Sequence, residues 1–336
     1  MIEGHGDDLH KYGDIRANFS SNVNPAGPPP ALIEHLRDSI SLVACYPEPK
    51  AGNLAREIET AEGLKPDTVL VTSGAVEAFY LLADWLAGKR SLIYTPSFSE
   101  YEDACQVAGH EVIFRDHWHF EEDNQAGMDV VWICNPNNPD GRMYGPETIC
   151  HRLEENPETL FVVDEAYVDF TQENISLIDE VRRFPNLVVV RSMTKRFAIP
   201  GLRLGYLVAD REVMEALKQK LMPWRINALA LEAGLFCESD TSQTAFDATG
   251  WIEESRRLQQ KLDELDGFRV QPSEIVFFIV EGPVKAAELK EQLAREDGLL
   301  IRDASNFRGL SPNHFRVCVQ TPEKNEWLIE ALKTWS

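Results

Sequence analysis

A lysine flanked by hydroxyl groups is the residue with the clearest chemical potential in this sequence. Lys195 lies within residues 191–196 (RSMTKR), directly after a strongly apolar run, and Arg203 follows eight residues later. Most lysines are solvated surface residues, and that interpretation applies if the position is taken alone. Ser192, Thr194 and Arg203 nevertheless offer two hydroxyls and a guanidinium suited to a phosphate beside that amine. The segment therefore predicts a nucleophilic amine next to a phosphate site.

Three further polar segments follow predicted strands at their carboxyl ends, where an open α/β sheet binds its ligands. Residues 72–77 (TSGAVE) pass straight into a helix, whose N-terminus favours a phosphate. An ordinary strand-to-helix turn is the simpler interpretation of that segment alone. Residues 135–141 (NPNNPDG) form a rigid polar turn, in which Asn137 and Asn138 indicate ligand polarity. Asp164 ends a buried strand, where a carboxylate either needs a cationic partner or caps the next helix.

Several common catalytic motifs are absent from the sequence. No G-x-G-x-x-G follows a predicted strand, and neither a Walker A motif nor G-x-S-x-G occurs. Dinucleotide-binding, P-loop and serine-hydrolase functions therefore lose their main support. The six cysteines lie far apart without a C-x-x-C pair, which is typical of free thiols in a reducing compartment. We expect neither a disulfide framework nor a metal site.

The strands that must position these residues are short, β-branched and almost continuously apolar. They alternate with helical patterns from about residue 67 to residue 210, which is typical of a mostly parallel α/β sheet buried on both faces. The predicted strands are residues 68–71, 91–94, 111–114, 130–133, 160–163 and 187–190. An amphipathic helix is predicted over residues 75–86.

The rest of the chain predicts a smaller α+β cap domain. A proline-containing hinge at residues 222–224 precedes a long helical pattern over residues 227–265. The Asn/Pro/Gly-rich stretch through residue 30 is too irregular for a core element, and we expect it to cross between the domains. We predict a large domain and a second unit, which comprise residues 31–224 and residues 1–30 plus 225–336.

Composition and charge limit the possible partners. Lys and Arg number 33 against 55 Asp and Glu, which gives a formal net charge of −22. A groove that follows nucleic-acid phosphates needs a basic field, so we expect no nucleic-acid partner. A small anionic substrate would need a local cluster of cations. The polar, acidic first residues are unlike a signal peptide, and no apolar run approaches the ~20 residues of a membrane span, so we expect a soluble, cytoplasmic protein without a membrane partner.

Five short motifs occur in an order and spacing that make them specific as a set. They are SGA, NPNNPDG, DEAY, S-x-T-K and G-L-R-x-G-Y. This set resembles the aspartate-aminotransferase superfamily of pyridoxal-phosphate enzymes, and the similarity extends over nearly the whole chain. The resemblance implies the α/β fold of type I pyridoxal-phosphate transferases, with a mostly parallel central sheet flanked by helices and a smaller α+β cap domain. It also implies pyridoxal 5'-phosphate as the cofactor.

The resemblance assigns roles to individual residues. It implies that Lys195 forms a Schiff base with the cofactor aldehyde and shuttles protons, and that Asp164 keeps the pyridine nitrogen protonated so that the ring can accept electrons. Tyr167 and Asn138 would hydrogen-bond the phenolate oxygen, and Phe98 would stack on the ring. The cofactor phosphate would be held by Gly74, Ala75, Val76, Ser192, Thr194 and Arg203.

Tyr46 carries an implication for assembly. It lies in residues 46–49 (YPEP) and matches the tyrosine that reaches the cofactor phosphate of the neighbouring subunit. The resemblance therefore implies a homodimer with shared active sites.

Two arginines of the cap domain indicate an anionic substrate. Strand alternation puts Phe315 and Val317 on one face, so Arg316 projects from the other. A solvated arginine is the ordinary interpretation of such a position, but Arg302 and Arg316 together could bind a dianion and a carboxylate. The carboxylate-binding arginine of the superfamily falls at Arg316.

Two branches of the superfamily take small phosphorylated substrates: the histidinol-phosphate aminotransferases and the L-threonine-O-3-phosphate decarboxylases of cobalamin side-chain synthesis. Residues 4–6 (GHG), 18–27 (NFSSNVNPAG) and 300–310 resemble the second branch, although Asp7 stands where these decarboxylases usually have glycine. The analogy puts Arg302 near the substrate phosphate and Arg316 near the carboxylate. The remaining substrate-binding residues are His5, Gly6, Asn22 and Asn138.

These observations predict a pyridoxal-phosphate enzyme that acts on a small phosphorylated amino acid, with decarboxylation of L-threonine-O-3-phosphate as the preferred reaction. An aminotransferase of the histidinol-phosphate type is the alternative. A catalytically silent binding module with the same fold is a third hypothesis, against which intact Lys195, Asp164 and Arg203 argue. The two reactions differ in which substrate bond lies perpendicular to the cofactor ring, and the sequence does not define that angle.

Overall fold

The computed structural model describes residues 7–239 and 244–336. The strands of this described part are β1 Ala17–Asn18, β2 Val69–Thr72, β3 Arg90–Thr95, β4 Glu111–Asp116, β5 Val130–Cys134, β6 Leu160–Asp164, β7 Leu187–Arg191, β8 Gly205–Ala209, β9 Arg269–Gln271, β10 Phe277–Glu281, β11 Leu299–Leu300, β12 Arg302–Asp303 and β13 His314–Cys318.

The helices follow the same alternation. In the described residues they are α1 Pro30–Asp38, α2 Gly52–Ala61, α3 Gly74–Trp85, α4 Glu100–Val107, α5 Pro146–Glu155, α6 Met193–Arg196, α7 Arg211–Lys218, α8 Ala228–Ser239, α9 Thr249–Asp263, α10 Ala286–Gln292 and α11 Pro322–Leu332. None of these described helices has the length and apolar character required to cross a membrane.

The central sheet has seven strands in the order β2-β8-β7-β6-β5-β3-β4. Strand β8 runs antiparallel to both of its neighbours, and the other pairs are parallel. The six predicted strands are all present, so the prediction of a mostly parallel sheet is confirmed. The sequence analysis missed β8, although this strand is apolar and fully buried.

Side-chain alternation along these strands builds a core on each face of the sheet. Val69 and Val71 of β2 pack into one hydrophobic cluster, while Leu70 between them packs into the other. Val188 and Val189 of β7 divide in the same way. Strands buried on both faces need apolar residues at every position, which is why they read as continuous apolar runs.

A smaller antiparallel sheet with the order β12-β13-β10-β9 lies over a third hydrophobic cluster. The N-terminal segment joins this part of the fold, because β1 pairs in parallel with β11 through Ala17 and Leu299. The segment then reaches the central sheet, where the backbone N–H of Asn24 donates to the backbone carbonyl of Lys195 at 2.9 Å. It therefore runs from one sheet to the other, as the irregular sequence predicts.

The helical pattern predicted over residues 227–265 is interrupted, and α8 and α9 are separate helices. An Asx turn directly precedes α9, since the Asp247 carboxylate accepts the Thr249 backbone amide at 2.9 Å. Ala230 and Cys237 of α8 belong to a core cluster of the central sheet. This helix therefore packs with the large sheet, although the predicted boundary at residue 224 assigns it to the second unit; the domain boundaries themselves stay a prediction.

Candidate active site

The polar segments predicted from the sequence meet at one edge of the central sheet. Strands β2, β5, β6 and β7 all end at this edge, and the antiparallel β8 begins there. Close backbone contact between these segments depends on Gly205, where a Cβ would lie 2.7 Å from the Arg191 carbonyl oxygen and 2.9 Å from the Ala75 nitrogen. The topology therefore brings together residues that are distant in the sequence.

A cavity of about 190 Å³ opens at this edge. Most of the predicted site residues line it, which the sequence had suggested only by resemblance. The predicted residues in the cavity wall are Asn22, Ala75, Val76, Phe98, Asn138, Asp164, Tyr167, Ser192, Thr194, Lys195, Arg203 and Arg316.

Other predicted residues lie elsewhere. Tyr46 is 86% exposed and does not line the cavity of its own chain. Arg302 is buried next to Arg316 in the small sheet, but its guanidinium donates to the Asp303 carbonyl and to Asn306 Oδ1 rather than lining the cavity. Gly74 precedes the lining residue Ala75 but is not itself a lining residue. His5 and Gly6 lie outside the described residues.

Lys195 occupies the single-turn helix α6 that follows β7. Burial and the positive charges of Arg316 and Arg203 lower the pKa of its amine to about 8, against the opposing charge of Asp164. A free lysine amine is almost wholly protonated near neutrality, whereas this amine reaches its nucleophilic neutral form at a much lower pH. The environment of Lys195 is therefore that of a reactive amine.

Asp164 faces the cavity from the end of β6, and its carboxylate accepts three hydrogen bonds from the described residues, one of them from the buried Cys134 thiol at 3.9 Å. The Ala166 amide donates to Oδ1 at 3.0 Å and the Tyr101 hydroxyl donates to Oδ2 at 2.6 Å. Burial raises the pKa of Asp164 to about 6, and the two shorter hydrogen bonds and the charge of Lys195 oppose that rise. The carboxylate is thus held in a fixed orientation near its titration range.

The other end of the cavity carries the features of a phosphate site. Helix α3 begins there, with backbone N–H groups that lack intrahelical partners. Gly74 has a φ of +73°, which disfavours any other residue there, and a Cβ on it would lie 2.6 Å from Arg203 Nη2 and displace this guanidinium. The Ser192 and Thr194 hydroxyls lie 2.7 Å apart beside it. Amides, hydroxyls and a guanidinium converge here.

Arg316 fixes the orientation of a neighbouring amide. Its guanidinium donates to Asn138 Oδ1 and, at 2.7 Å, to the Ser20 carbonyl. Since Oδ1 of Asn138 is an acceptor here, its Nδ2 is left to donate to another group. Arg316 Nε and both polar atoms of the Asn22 side chain, which is 2% exposed, are buried without a hydrogen-bond partner among the described residues. Buried polar atoms of this kind are normally satisfied, so they indicate where a polar ligand binds.

Comparison with known proteins identifies the family. The model of the aminotransferase class I and II family matches residues 15–332, which is most of the chain. The chain belongs to this family. The predicted superfamily and fold are confirmed, and this aminotransferase-family protein is a pyridoxal-phosphate-dependent enzyme.

Relatives of this family member include both decarboxylases and aminotransferases. The threonine-phosphate decarboxylase of Salmonella typhimurium is 29% identical in an alignment that covers 95% of this chain and 91% of the relative. The histidinol-phosphate aminotransferase of Symbiobacterium thermophilum is 33% identical in an alignment that covers 94% of this chain and 89% of the relative. The crystal structure of L-threonine-O-3-phosphate decarboxylase from Porphyromonas gingivalis aligns with a TM-score of 0.92 and 39% identity, covering 95% of this chain and 98% of that one.

The cavity of this aminotransferase-family enzyme fits its cofactor, pyridoxal 5'-phosphate. The Lys195 amine suits the aldehyde, and the buried Asp164 carboxylate suits a protonated ring nitrogen. The glycine-bounded site beside Arg203 suits the phosphate. The lining residues thus match the aldehyde, the ring nitrogen and the phosphate of the cofactor, and these residue roles carry over into the proposal below.

The sequence analysis assigned no site role to several residues that lie at or beside the enzyme's cavity. The Ser20 backbone carbonyl accepts a hydrogen bond from the Arg316 guanidinium, and the Asn24 side-chain amide donates to the backbone carbonyl of Arg196 in helix α6. Ser20 and Asn24 both lie in the N-terminal motif at residues 18–27, which was the available signal. Asp7 also lines the cavity, in a left-handed conformation with φ of 52°. Tyr101 had no signal, because a tyrosine on an apolar helix face reads as core.

Proposed function

We propose that this enzyme decarboxylates L-threonine-O-3-phosphate to (R)-1-amino-2-propanol phosphate. The observation that carries the proposal is the substrate side of the cavity, where Arg316 Nε and the Asn22 amide are buried and unsatisfied beside Lys195. A small anionic amino acid supplies the acceptors that such donors need. Support for decarboxylation comes from the 39% identity and TM-score of 0.92 to the Porphyromonas gingivalis decarboxylase.

Residues of the cavity account for each requirement of this reaction. Bound pyridoxal phosphate supplies an electron sink for the substrate bond that lies perpendicular to its ring. Asp164 would keep a proton at the pyridine nitrogen of the cofactor, and Asn138 Nδ2 and the Tyr167 hydroxyl would hydrogen-bond its phenolate oxygen. Arg316 binds the substrate carboxylate. The carboxylate leaves as CO₂, and the proton that replaces it on carbon comes from Lys195 Nζ or a water.

Three cationic side chains among the described residues line the cavity of a chain whose formal net charge is −22, and they are Lys195, Arg203 and Arg316. Two carboxylates, Asp7 and Asp164, line it as well. Arg203 lies at the cofactor phosphate, so Arg316 is the cation left for the substrate among the described lining residues. As the resemblance implies, we assign Arg302 to the substrate phosphate and His5 to the substrate site; Arg302 would have to turn from Asn306 to reach the phosphate.

Transamination of histidinol phosphate is a second candidate, favoured by the 33% identity to the Symbiobacterium thermophilum enzyme. In that reaction Lys195 removes the proton from Cα and the amino group passes to a 2-oxo acid. The same residues serve both reactions, because the choice depends on which substrate bond lies perpendicular to the cofactor ring. The hypothesis of a silent module is set aside, since the family members found here are enzymes.

The requirement for an amino acceptor separates the two candidates. With threonine phosphate and no 2-oxo acid, we expect stoichiometric release of CO₂ and formation of aminopropanol phosphate at a rate that added 2-oxoglutarate does not change. Unphosphorylated threonine is the matched control and should turn over at least about 100-fold more slowly, because the phosphate contacts are lost. Turnover of histidinol phosphate that depends on 2-oxoglutarate and releases no CO₂ would overturn the proposal.

We also propose that the enzyme is a homodimer with shared active sites. Tyr46 is distant from its own cavity, and its ring packs 5.3 Å from that of Trp224 on an apolar surface. Large exposed apolar side chains on this surface indicate a covered interface. They are Ile40, Val43, Tyr46, Met222 and Trp224. In the dimer, Tyr46 of each chain reaches the cofactor phosphate of the other.

Hybrid dimers test this arrangement. Light scattering should give about 76 kDa, twice the 38.0 kDa of the chain. Refolding an equal mixture of Lys195→Ala and Tyr46→Ala should restore activity to roughly a quarter of wild type, because half of the dimers are hybrids and each hybrid contains one intact site. A mixture of Lys195→Ala and Asp164→Asn is the control and should restore nothing, since both residues come from the same chain. A monomer, or no gain in the first mixture, would contradict the proposal.

A further inference from the structure

Tyr101 lies on helix α4 and is 1% exposed. Its hydroxyl donates to Asp164 Oδ2 at 2.6 Å, but the residue does not line the cavity. Tyr101 therefore contacts the Asp164 carboxylate from outside the cavity. No substrate or cofactor atom that occupies the cavity needs to contact it.

An aromatic cluster holds the Tyr101 ring in place. The ring stacks on Trp132 with centroids 5.9 Å apart and meets Phe79 edge-on at 4.9 Å. It also meets Phe98, the proposed cofactor-stacking residue, edge-on at 5.9 Å. With the ring fixed on three sides, the hydroxyl has a defined direction toward Asp164. The rigid donor pre-organises the carboxylate.

The charge state of Asp164 depends on a balance of opposing effects. Burial favours the neutral carboxyl, while the hydrogen bonds from Tyr101 and Ala166 favour the carboxylate. Burial and the charge of Asp164 raise the pKa of Tyr101 well above its ordinary value, so its hydroxyl remains a donor across the physiological range. Among the side-chain donors to Asp164, the Tyr101 hydroxyl at 2.6 Å lies much closer than the Cys134 thiol at 3.9 Å, so Tyr101 is the donor to substitute.

We propose that Tyr101 is a positioning residue that keeps the Asp164 carboxylate ionised and aimed, and thereby keeps the proton on the cofactor ring nitrogen. Asp164 and that nitrogen compete for one proton, so a donor that stabilises the carboxylate leaves the proton on the ring. This inference rests on the proposed role of Asp164. It adds a residue that acts through Asp164 without touching the cofactor.

The test measures Asp164 directly in the full-length apoprotein. Carbon-13 NMR of aspartate-labelled protein, with the signal assigned by Asp164→Asn, gives the titration midpoint. In Tyr101→Phe, which keeps the ring and removes the hydroxyl, we expect the midpoint to rise by about one pH unit or more, the size implied by a hydrogen bond to a charged group. Tyr94→Phe is the matched control, because Tyr94 is also buried and donates to a carboxylate, Asp123, at 2.7 Å. It should leave the Asp164 midpoint unchanged.

Measurements on the holoenzyme complete the test. Tyr101→Phe should lower kcat about 10-fold and change KM less than about twofold, since Tyr101 does not contact the substrate. An unchanged Asp164 midpoint, or a kcat loss without a midpoint shift, would overturn the proposal. If Tyr101→Phe does not fold, 3-fluorotyrosine at position 101, a stronger donor, should lower the midpoint instead. Full activity of Asp164→Asn would refute the role of Asp164 in catalysis while leaving the Tyr101 titration result intact.

Discussion

Replacing Lys195 with alanine is expected to abolish turnover and the visible absorbance of the covalently bound cofactor. The amine is the nucleophile for the cofactor aldehyde and the proposed proton carrier, so kcat should fall roughly 10⁴-fold or more. Cofactor should still bind without a covalent bond, because the phosphate site at Gly74 and Arg203 is untouched. Absorbance titration and fluorescence quenching measure the two effects separately.

Lys218→Ala is the matched control for this experiment. Lys218 pairs with Asp67 on the surface at 3.1 Å and lies outside the cavity. Its replacement removes the same charge and should leave both kcat and the absorbance unchanged. If Lys195→Ala kept the absorbance of the wild type or more than a tenth of its activity, the assignment of this cavity as the catalytic site would be wrong.

The site could be predicted from the sequence where short motifs follow buried strands. Asp164 and the Lys195 segment come directly after β6 and β7, and parallel strands bring their carboxyl ends to one edge. The positions of the strands followed from continuous apolar runs. The resemblance then supplied a role for each residue, and the family match confirmed the cofactor.

Other features needed three-dimensional structure because their partners are remote in the sequence. Tyr101 is 63 positions from Asp164, and Ser20 is 296 positions from Arg316. Strand β8 directly follows the motif around Arg203, and only the fold shows that it completes the sheet between β2 and β7. Arg302 illustrates the limit of analogy, since its guanidinium is engaged by Asn306 in this structure.

The acidic chain and its cationic cavity are compatible because the relevant charges act at short range. Screening reduces interactions beyond about 8–10 Å in physiological salt, so the distant acidic residues matter little inside the cavity. Lys195, Arg203 and Arg316 lie where the local dielectric is low and their charges are strong. Among substitutions that remove a substrate contact, replacing a buried cation that lines the cavity should therefore reduce kcat/KM the most.

Arg316→Gln is therefore expected to lower kcat/KM for threonine phosphate by about 10²–10³-fold, as for the loss of one member of a buried charge pair. Glutamine can still hydrogen-bond Asn138 or the Ser20 carbonyl, but it lacks the charge that holds the substrate carboxylate. Most of the loss should appear in KM, and the affinity for the cofactor should change little.

A second arginine separates the loss of this contact from a general loss of positive charge. Arg115 binds Asp123 at 2.7 Å and does not line the cavity, so Arg115→Gln should keep kcat/KM within about threefold of wild type. Arg316→Lys keeps the charge but not the forked donor geometry, and it should fall between the wild type and Arg316→Gln. Equal kcat/KM for Arg316→Gln and wild type would mean that the substrate carboxylate binds elsewhere. Arg316 is the described lining residue that we propose to fix the direction of the substrate carboxylate. That result would therefore also remove the reason for expecting the carboxylate, and not the Cα proton, to lie perpendicular to the ring.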